Sequence, residues 1–202
     1  MNPIKVIQAN QDWAVCVKPV GMDSEKEIPQ VLKEQLGGSF LPVHRLDLNV
    51  GGIMIYARNS MTAGELSRQM QEKSFQKEYL AEVHGRLPEA GRMEDLLWKD
   101  SAKRKVFAVK RMRQGVKRAA LNYETVCYDE QRDLSLVRIR LETGRTHQIR
   151  VQFSSRGFPL RGDHKYGARD SEKAPRLFSA SLSFLWKGKP VRFSETPDWE
   201  WS

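Results

Sequence analysis

Cysteine is scarce in this 202-residue chain. Only Cys16 and Cys127 occur, far apart and set among Val15, Val17, Val126 and Tyr128. They read as reduced core residues, which argues against a disulfide framework or a paired metal site. Long apolar runs are also missing, and none approaches the length of a membrane span. The amino-terminal stretch Met1-Asn2-Pro3-Ile4-Lys5 lacks the charged-then-apolar pattern of a secretory signal, which points to the cytoplasm. There is no internal repeat, no long low-complexity linker and no clear boundary, so a single domain over residues 1–202 is expected. Nothing marks an obligate interface, so a monomer is expected as well. Acid is in the minority: 25 Asp and Glu against 34 Lys and Arg leave a net charge of +9.

A basic balance favours a polyanionic partner, most simply nucleic acid. Placement carries more weight than the total. Residues 88–118 are polar and strongly basic, with Lys99, Lys103, Arg104, Lys105, Lys110, Arg111, Arg113, Lys117 and Arg118. The short apolar run Val106-Phe107-Ala108-Val109 interrupts them as a strand, and Gln114-Gly115 reads as a turn. Two basic clusters flanking a strand would line one side of a hairpin with phosphate-binding charge. Lys103, Arg104 and Lys105 are the candidate RNA contacts there. A solvated surface gives the same pattern.

The stretch that organises the chain is His44-Arg45-Leu46-Asp47, followed by Leu48-Asn49-Val50-Gly51-Gly52 and the apolar run Ile53-Met54-Ile55-Tyr56-Ala57. A carboxylate, Asp47, thus sits on a loop anchored by a strand over residues 51–58, a common setting for a reactive group. A structural ion pair at a strand start fits equally well. Upstream, residues 4–17 read as two strands joined at Asn10-Gln11-Asp12, and Lys18-Pro19-Val20-Gly21 breaks the second. Lys18 faces either a phosphate or solvent. Residues 29–36 fit a short helix closed by Gly37-Gly38, and Thr62 with Glu65 makes a capping-box pattern for a helix over 62–73. Lys77 to Gly85 reads as a strand whose period of two puts Lys77, Tyr79, Ala81 and Val83 on one face. A packed tyrosine on a plain amphipathic strand accounts for Tyr79 as well.

Residues 119–128 and 134–141 alternate as two more strands. In Thr143-Gly144-Arg145-Thr146-His147-Gln148-Ile149-Arg150-Val151-Gln152-Phe153, the four-residue spacings predict a helix over 145–156. Arg145 and His147 would then lie in its first turn. Cations there oppose the helix dipole, so they imply an anion in front of them. Arg150, one turn further in, could reach a buried carboxylate. Residues 158–167 form a turn-rich loop whose polar groups bind ligand or brace that helix, and residues 176–195 read as closing strands.

Three separated stretches, His44-Arg45-Leu46-Asp47, Lys77-Glu78-Tyr79 and Thr143 to Val151, occur in this order, with Gly162-Asp163 and Tyr166-Gly167 following. Together with Lys18-Pro19-Val20-Gly21 they resemble the RluA-type family of RNA pseudouridine synthases over nearly the whole chain. The resemblance implies an α+β fold with a bent, mostly antiparallel mixed sheet, flanking helices and a central RNA-binding cleft. It implies isomerisation of uridine in ribosomal or transfer RNA to pseudouridine, without metal or organic cofactor. It makes Asp47 the catalytic acid residue, Arg150 its ion-pair partner, and Tyr79 the ring that stacks on uracil and assists proton removal. Arg45 would fill the gap left by the flipped base, and Lys77 and Arg145 would hold phosphates or the pocket wall. His44 and His147 join these on the RNA side. Larger relatives add an RNA-binding domain of the S4 type, which the sequence given does not contain.

The chain departs from the family pattern in three places. Val50-Gly51-Gly52 stands where Thr-Ser-Gly is usual, Gln152 replaces a histidine, and His164 replaces a proline. None removes an expected catalytic group. Two other readings fit less well. A metal-dependent RNA phosphodiesterase could draw on His44, Asp47, His147 and His164, but their spacings match no compact ligand motif. An inactive RNA-binding protein on the same scaffold would need a lost acid or tyrosine, and both are present.

Overall fold

The structure, a computed structural model, describes residues 3–201. Met1, Asn2 and Ser202, including the start of the segment read for a signal, lie outside the described residues. In chain order the elements are β1 (Val6–Ala9), β2 (Trp13–Lys18), α1 (Glu27–Leu36), β3 (Leu41–Pro42), β4 (Gly51–Ala57) and α2 (Ser60–Gln71). Then come β5 (Gln76–His84), β6 (Ala90–Asp100), β7 (Lys105–Val109), β8 (Val116–Asp129), β9 (Leu134–Leu141) and α3 (Gln148–Ser154). A single 3-10 turn at His164–Tyr166 precedes β10 (Leu177–Trp186) and β11 (Lys189–Ser194). Among the described residues no helix is long and apolar enough to cross a membrane. The chain packs as two compact units, residues 3–78 with 178–201 and residues 79–177. It passes between them within β5 and β10.

In the first unit the strand order is β1-β2-β4-β10, with β3 beside β4 and β11 beside β10. The β2–β4 and β10–β11 pairs are antiparallel, while β10 runs parallel to β4 through Phe178–Gly51 and Ser179–Gly52. Every residue of β4 is buried, because strands flank it on both edges and side chains cover both faces. Trp13, Val15, Ile53, Ile55, Leu66, Phe75, Leu182, Phe184 and Phe193 form its core. Each large side chain so placed stabilises the unit by roughly 1.5–3 kcal/mol. Gly52 is a steric requirement. Its φ is +122°, and a Cβ there would lie 2.4 Å from the Ser179 nitrogen and 2.5 Å from its oxygen.

In the second unit the order is β5-β9-β8-β6-β7. The β6–β7, β6–β8 and β8–β9 pairs are antiparallel. Leu97, Val106 and Ala119 point to one face of the sheet and pack on Val151 of α3 and on Tyr166. The architecture is α+β, mostly antiparallel, as the resemblance implies.

Three local expectations are corrected. Helix α2 begins at Ser60, not 62, because extended Asn59 caps it and its Oδ1 accepts the Thr62 amide at 2.8 Å. Glu65, expected to complete a capping box, instead pairs with Arg68 at 2.8 Å. Helix α3 begins at Gln148, not 145, and the Gln148 side chain supplies the reason. Its Oε1 accepts the Arg145 amide at 3.0 Å and the Thr143 hydroxyl at 2.8 Å, and its Nε2 donates to the Ala120 carbonyl at 3.0 Å. That side chain fills the place of a further helical turn. Arg145 and His147 are therefore not in the first turn of a helix. Finally, Cys127 is exposed, beside a register shift in β8, whereas Cys16 is buried and its thiol is pushed up to about 12 by desolvation.

Candidate active site

In the first unit, the loop before β4 presents Asp47, half-buried, with its main chain fixed on both sides. The Ser24 hydroxyl donates to the Leu46 carbonyl at 3.1 Å, and the Val50 amide donates to the Asp47 carbonyl at 3.0 Å. The Leu48 carbonyl accepts from the Gly21 amide at 2.9 Å and from the Lys18 ammonium at 3.1 Å. Ser24 is itself held, because the Tyr56 hydroxyl donates to its carbonyl at 2.7 Å. Three successive carbonyls around Asp47 are thus tied down, which restricts the carboxylate to few orientations.

Lys18 neither faces a phosphate nor reaches solvent. It is fully buried and donates to the Pro19 and Leu48 carbonyls. Burial lowers its ammonium from the usual lysine range to about 8, while Asp23, Asp47 and Glu27 oppose that fall. A Cβ at Gly51 would come within 3.2 Å of the Lys18 carbonyl, so the small residue keeps this strand start close to Lys18.

Arg45, next to that loop, is exposed and pairs with Glu25 at 3.4 Å, a weak surface pair. His44 is turned inward. Its ring lies 6.0 Å from Phe75, and its Nε2 accepts the Ile55 amide at 3.4 Å. Burial, helped by Lys77, holds its pKa well below the usual histidine range, so the ring is neutral. Lys77 on β5 is itself lowered to about 8 by burial.

In the second unit, Tyr79 on β5 is 5% exposed, and Ala81 and Val83 on the same strand face are fully buried. Arg150, on α3, is 6% exposed and Asp163 is 1% exposed. They form a two-point ion pair, Nε to Oδ2 at 2.7 Å and Nη2 to Oδ1 at 2.8 Å. A buried carboxylate within reach of Arg150 is thus Asp163, thirteen positions on. The Tyr166 ring lies under the Arg150 guanidinium, 5.0 Å from Cζ to centroid. Its hydroxyl accepts the Val106 amide at 2.9 Å and lies 2.7 Å from His147 Nδ1. His147 has φ +51°, the left-handed region that non-glycine residues seldom adopt, and this contact helps fix it there. Gly162 has φ +78° and the Ala174 carbonyl 2.1 Å from where a Cβ would sit, so the turn before Asp163 admits only glycine. The 158–167 loop thus braces α3. Asp163 and Tyr166 were visible in the sequence only as a trailing part of the resemblance.

Arg145 is anchored on β8, with its Nε donating to the Arg118 carbonyl at 3.1 Å. Lys103 and Arg104 are exposed at the β6–β7 turn, and Lys105 lies half-buried 5.2 Å above the Tyr166 ring. Gln152 is buried, and its Nε2 donates to Asp95 Oδ2 at 2.8 Å and to the Met93 carbonyl at 3.2 Å. In the place of the usual histidine it ties α3 to β6. His164 replaces proline on the surface, its Nε2 lying 2.9 Å from the Asp170 carbonyl. Among the described residues, no three His, Cys, Asp or Glu side chains are grouped to hold a metal ion.

A family model described as RNA pseudouridylate synthase matches residues 12–155. The chain belongs to that family. The match begins just before β2 and ends at the close of α3, so it takes in Lys18, Asp47, Tyr79 and Arg150. An uncharacterized RNA pseudouridine synthase of Aquifex aeolicus (strain VF5) is 33% identical over 193 residues, 88% of this chain and 60% of its own length. The ribosomal large subunit pseudouridine synthase D of Vibrio parahaemolyticus is 37% identical over 146 residues, 72% of this chain and 43% of its own. The chain thus spans about half the length of the curated relatives it matches. Among solved structures, human RNA pseudouridylate synthase domain containing 1 superposes with a TM-score of 0.83. It covers 98% of this chain and 86% of its own at 24% identity, a likeness of fold. The pseudouridylate synthase fold is accordingly the fold of this chain.

Proposed function

We propose that this chain isomerises uridine in structured RNA, ribosomal or transfer, to pseudouridine, acting in the cytoplasm as a monomer and as one catalytic domain. The observation that carries this reading is Asp47: a carboxylate within the stretch matched by a pseudouridylate synthase family model, on a loop whose carbonyls are tied on both sides. In the reaction the N1–C1′ bond of uridine breaks and a C5–C1′ bond forms. C5 gives up its proton and N1 gains one, so no oxidant, metal or second substrate is required. The base must leave its stack to be reached.

In this reading the ionised Asp47 carboxylate attacks or stabilises the electron-poor C1′, or drives elimination. Arg150 is its counter-ion, fixed in orientation by Asp163 and by the Tyr166 ring. Tyr79 stacks on the uracil and assists removal of the C5 proton. Arg45, exposed, stacks in the gap left by the base, as a planar guanidinium can. Lys77, Arg145 and His147 shape the wall or hold phosphates, His44 serves the RNA side from behind the loop as part of that wall, and Lys103, Arg104 and Lys105 extend the RNA contact. The experiment is pseudouridine mapping of cellular RNA with and without the gene. Loss of one or a few discrete sites is expected, and an unchanged map would overturn the reading.

A further inference from the structure

We propose that the outward face of the β6–β7–β8 ribbon is a stacking platform for unpaired bases of the RNA, built from Trp98, Phe107 and Arg113. This deepens, and rests on, the RNA-modifying reading above. Cross-strand register sets Phe107, Trp98 and Val116 in one row, with Leu96 opposite Val109 in the next. The neighbouring residues Leu97, Val106 and Ala119 point the other way and pack on Val151 and Tyr166, so the core of this unit uses the opposite face. Trp98 and Phe107 are half-buried, beside buried Val116, on a surface ribbon.

Geometry and charge indicate what covers it. The Trp98 and Phe107 rings lie 6.3 Å apart with planes tilted by 30°. The exposed Arg113 guanidinium lies over the indole at 4.8 Å, and the Lys105 ammonium lies 5.7 Å from the Phe107 ring. Residues 99–118 contain nine Lys and Arg and one acid, Asp100, in a chain whose net charge is +9. The acids that border this face are engaged, Glu124 with Arg138 at 3.5 Å, Glu142 with Arg92 at 2.8 Å, and two nearer the row as well. Asp100 accepts the Lys103 amide at 3.0 Å, and Glu94 pairs with Arg92 at 2.7 Å. Aromatic faces interleaved with cations suit a strand whose bases stack while its phosphates meet the positive rim. A neutral apolar partner would bury those cations without compensation.

The test uses the full chain, a labelled oligoadenylate of about ten nucleotides, a site length typical of such platforms, and an abasic phosphodiester of equal length. Binding is read by anisotropy at fixed salt. The wild type is expected to bind the oligoadenylate about tenfold more tightly than the abasic strand, as stacking of a base on an aromatic ring provides. Trp98→Leu and Phe107→Leu, which keep apolar bulk in the row and remove no charge, should each erase most of that difference and leave abasic binding unchanged. Equal affinity for both strands in the wild type would overturn the proposal, and that comparison needs no variant. So would variants that retain the difference, or concentration-dependent self-association lost in Trp98→Leu, which would assign the face to a second copy. Oligoadenylate contains no uridine, so the result separates from the isomerisation reading. Base-dependent binding without pseudouridine formation supports the platform and sinks only that reading. Pseudouridine formation without base-dependent binding sinks only the platform.

Discussion

Replacing Asp163 by Asn should cost this protein about 3 kcal/mol of stability. The carboxylate is 1% exposed and takes two guanidinium hydrogens of Arg150, itself 6% exposed, at 2.7 and 2.8 Å. Asn nearly preserves the volume. It removes the negative charge, however, and turns one acceptor into a donor that faces the donors of Arg150. Removing one member of a buried ion pair leaves the other charge uncompensated, which costs about 3–5 kcal/mol. The lower end applies here, because the Tyr166 ring still supports the guanidinium. For a chain of this length that corresponds to a fall of about 6–12 °C in Tm. The assay is denaturant and thermal unfolding of the wild type, Asp163→Asn, Arg150→Met and the double variant. The two single losses should together exceed the double loss by about 2 kcal/mol, since the double variant leaves neither member of this pair facing an unmatched partner. Additive losses, or an Asp163→Asn protein within about 0.5 kcal/mol of wild type, would refute the claim that this pair fixes α3.

Gly52→Ala should destabilise the first unit by about 3 kcal/mol, since positive-φ strain adds to a collision with the Ser179 backbone; thermal melting checks it. Buried Lys18 sets a pH dependence. Its folded value of about 8 lies below the unfolded 10.5, so between these the unfolded chain binds more protons and stability should rise with pH. The full span is worth about 3 kcal/mol, and Lys18→Met should remove that part of the rise, leaving the part due to buried Lys77, as read in urea titrations between those pH values. Changing Lys103, Arg104 and Lys105 together to Gln should lower the salt slope of RNA binding by about 2, as loss of three phosphate contacts on a single strand requires. An unchanged slope would remove that turn from the RNA footprint.

The order of strands was legible where one physical signal dominated. The β4 run and the alternating β9 read directly from apolar pattern, and β9 was expected over its observed span. By contrast β6 was not recognised, because Arg92, Glu94 and Asp95 give it charges toward both faces of a sheet exposed on one side. The start of α3 was missed for a different reason. The Gln148 side chain does the work of a helical turn, and periodicity has no access to side chain–backbone bonds. Of the site, Asp47, Tyr79 and Arg150 were named from motif order. The Asp163 partner, the Tyr166 support and the burial of Lys18 depend on contacts between positions far apart in the chain, which only the structure supplies. Cys127 was misread because its apolar neighbours imply a core, whereas the β8 register shift turns it to solvent.

The most direct measurement is tritium release from RNA carrying uridine tritiated at C5, catalysed by the wild type and by Asp47→Asn. The wild type should release tritium and accumulate pseudouridine. Asp47→Asn should bind the same RNA with comparable affinity and release none. Turnover by the asparagine variant, or tight RNA binding by a wild type that never releases tritium, would contradict the assignment of this loop carboxylate as the reactive group.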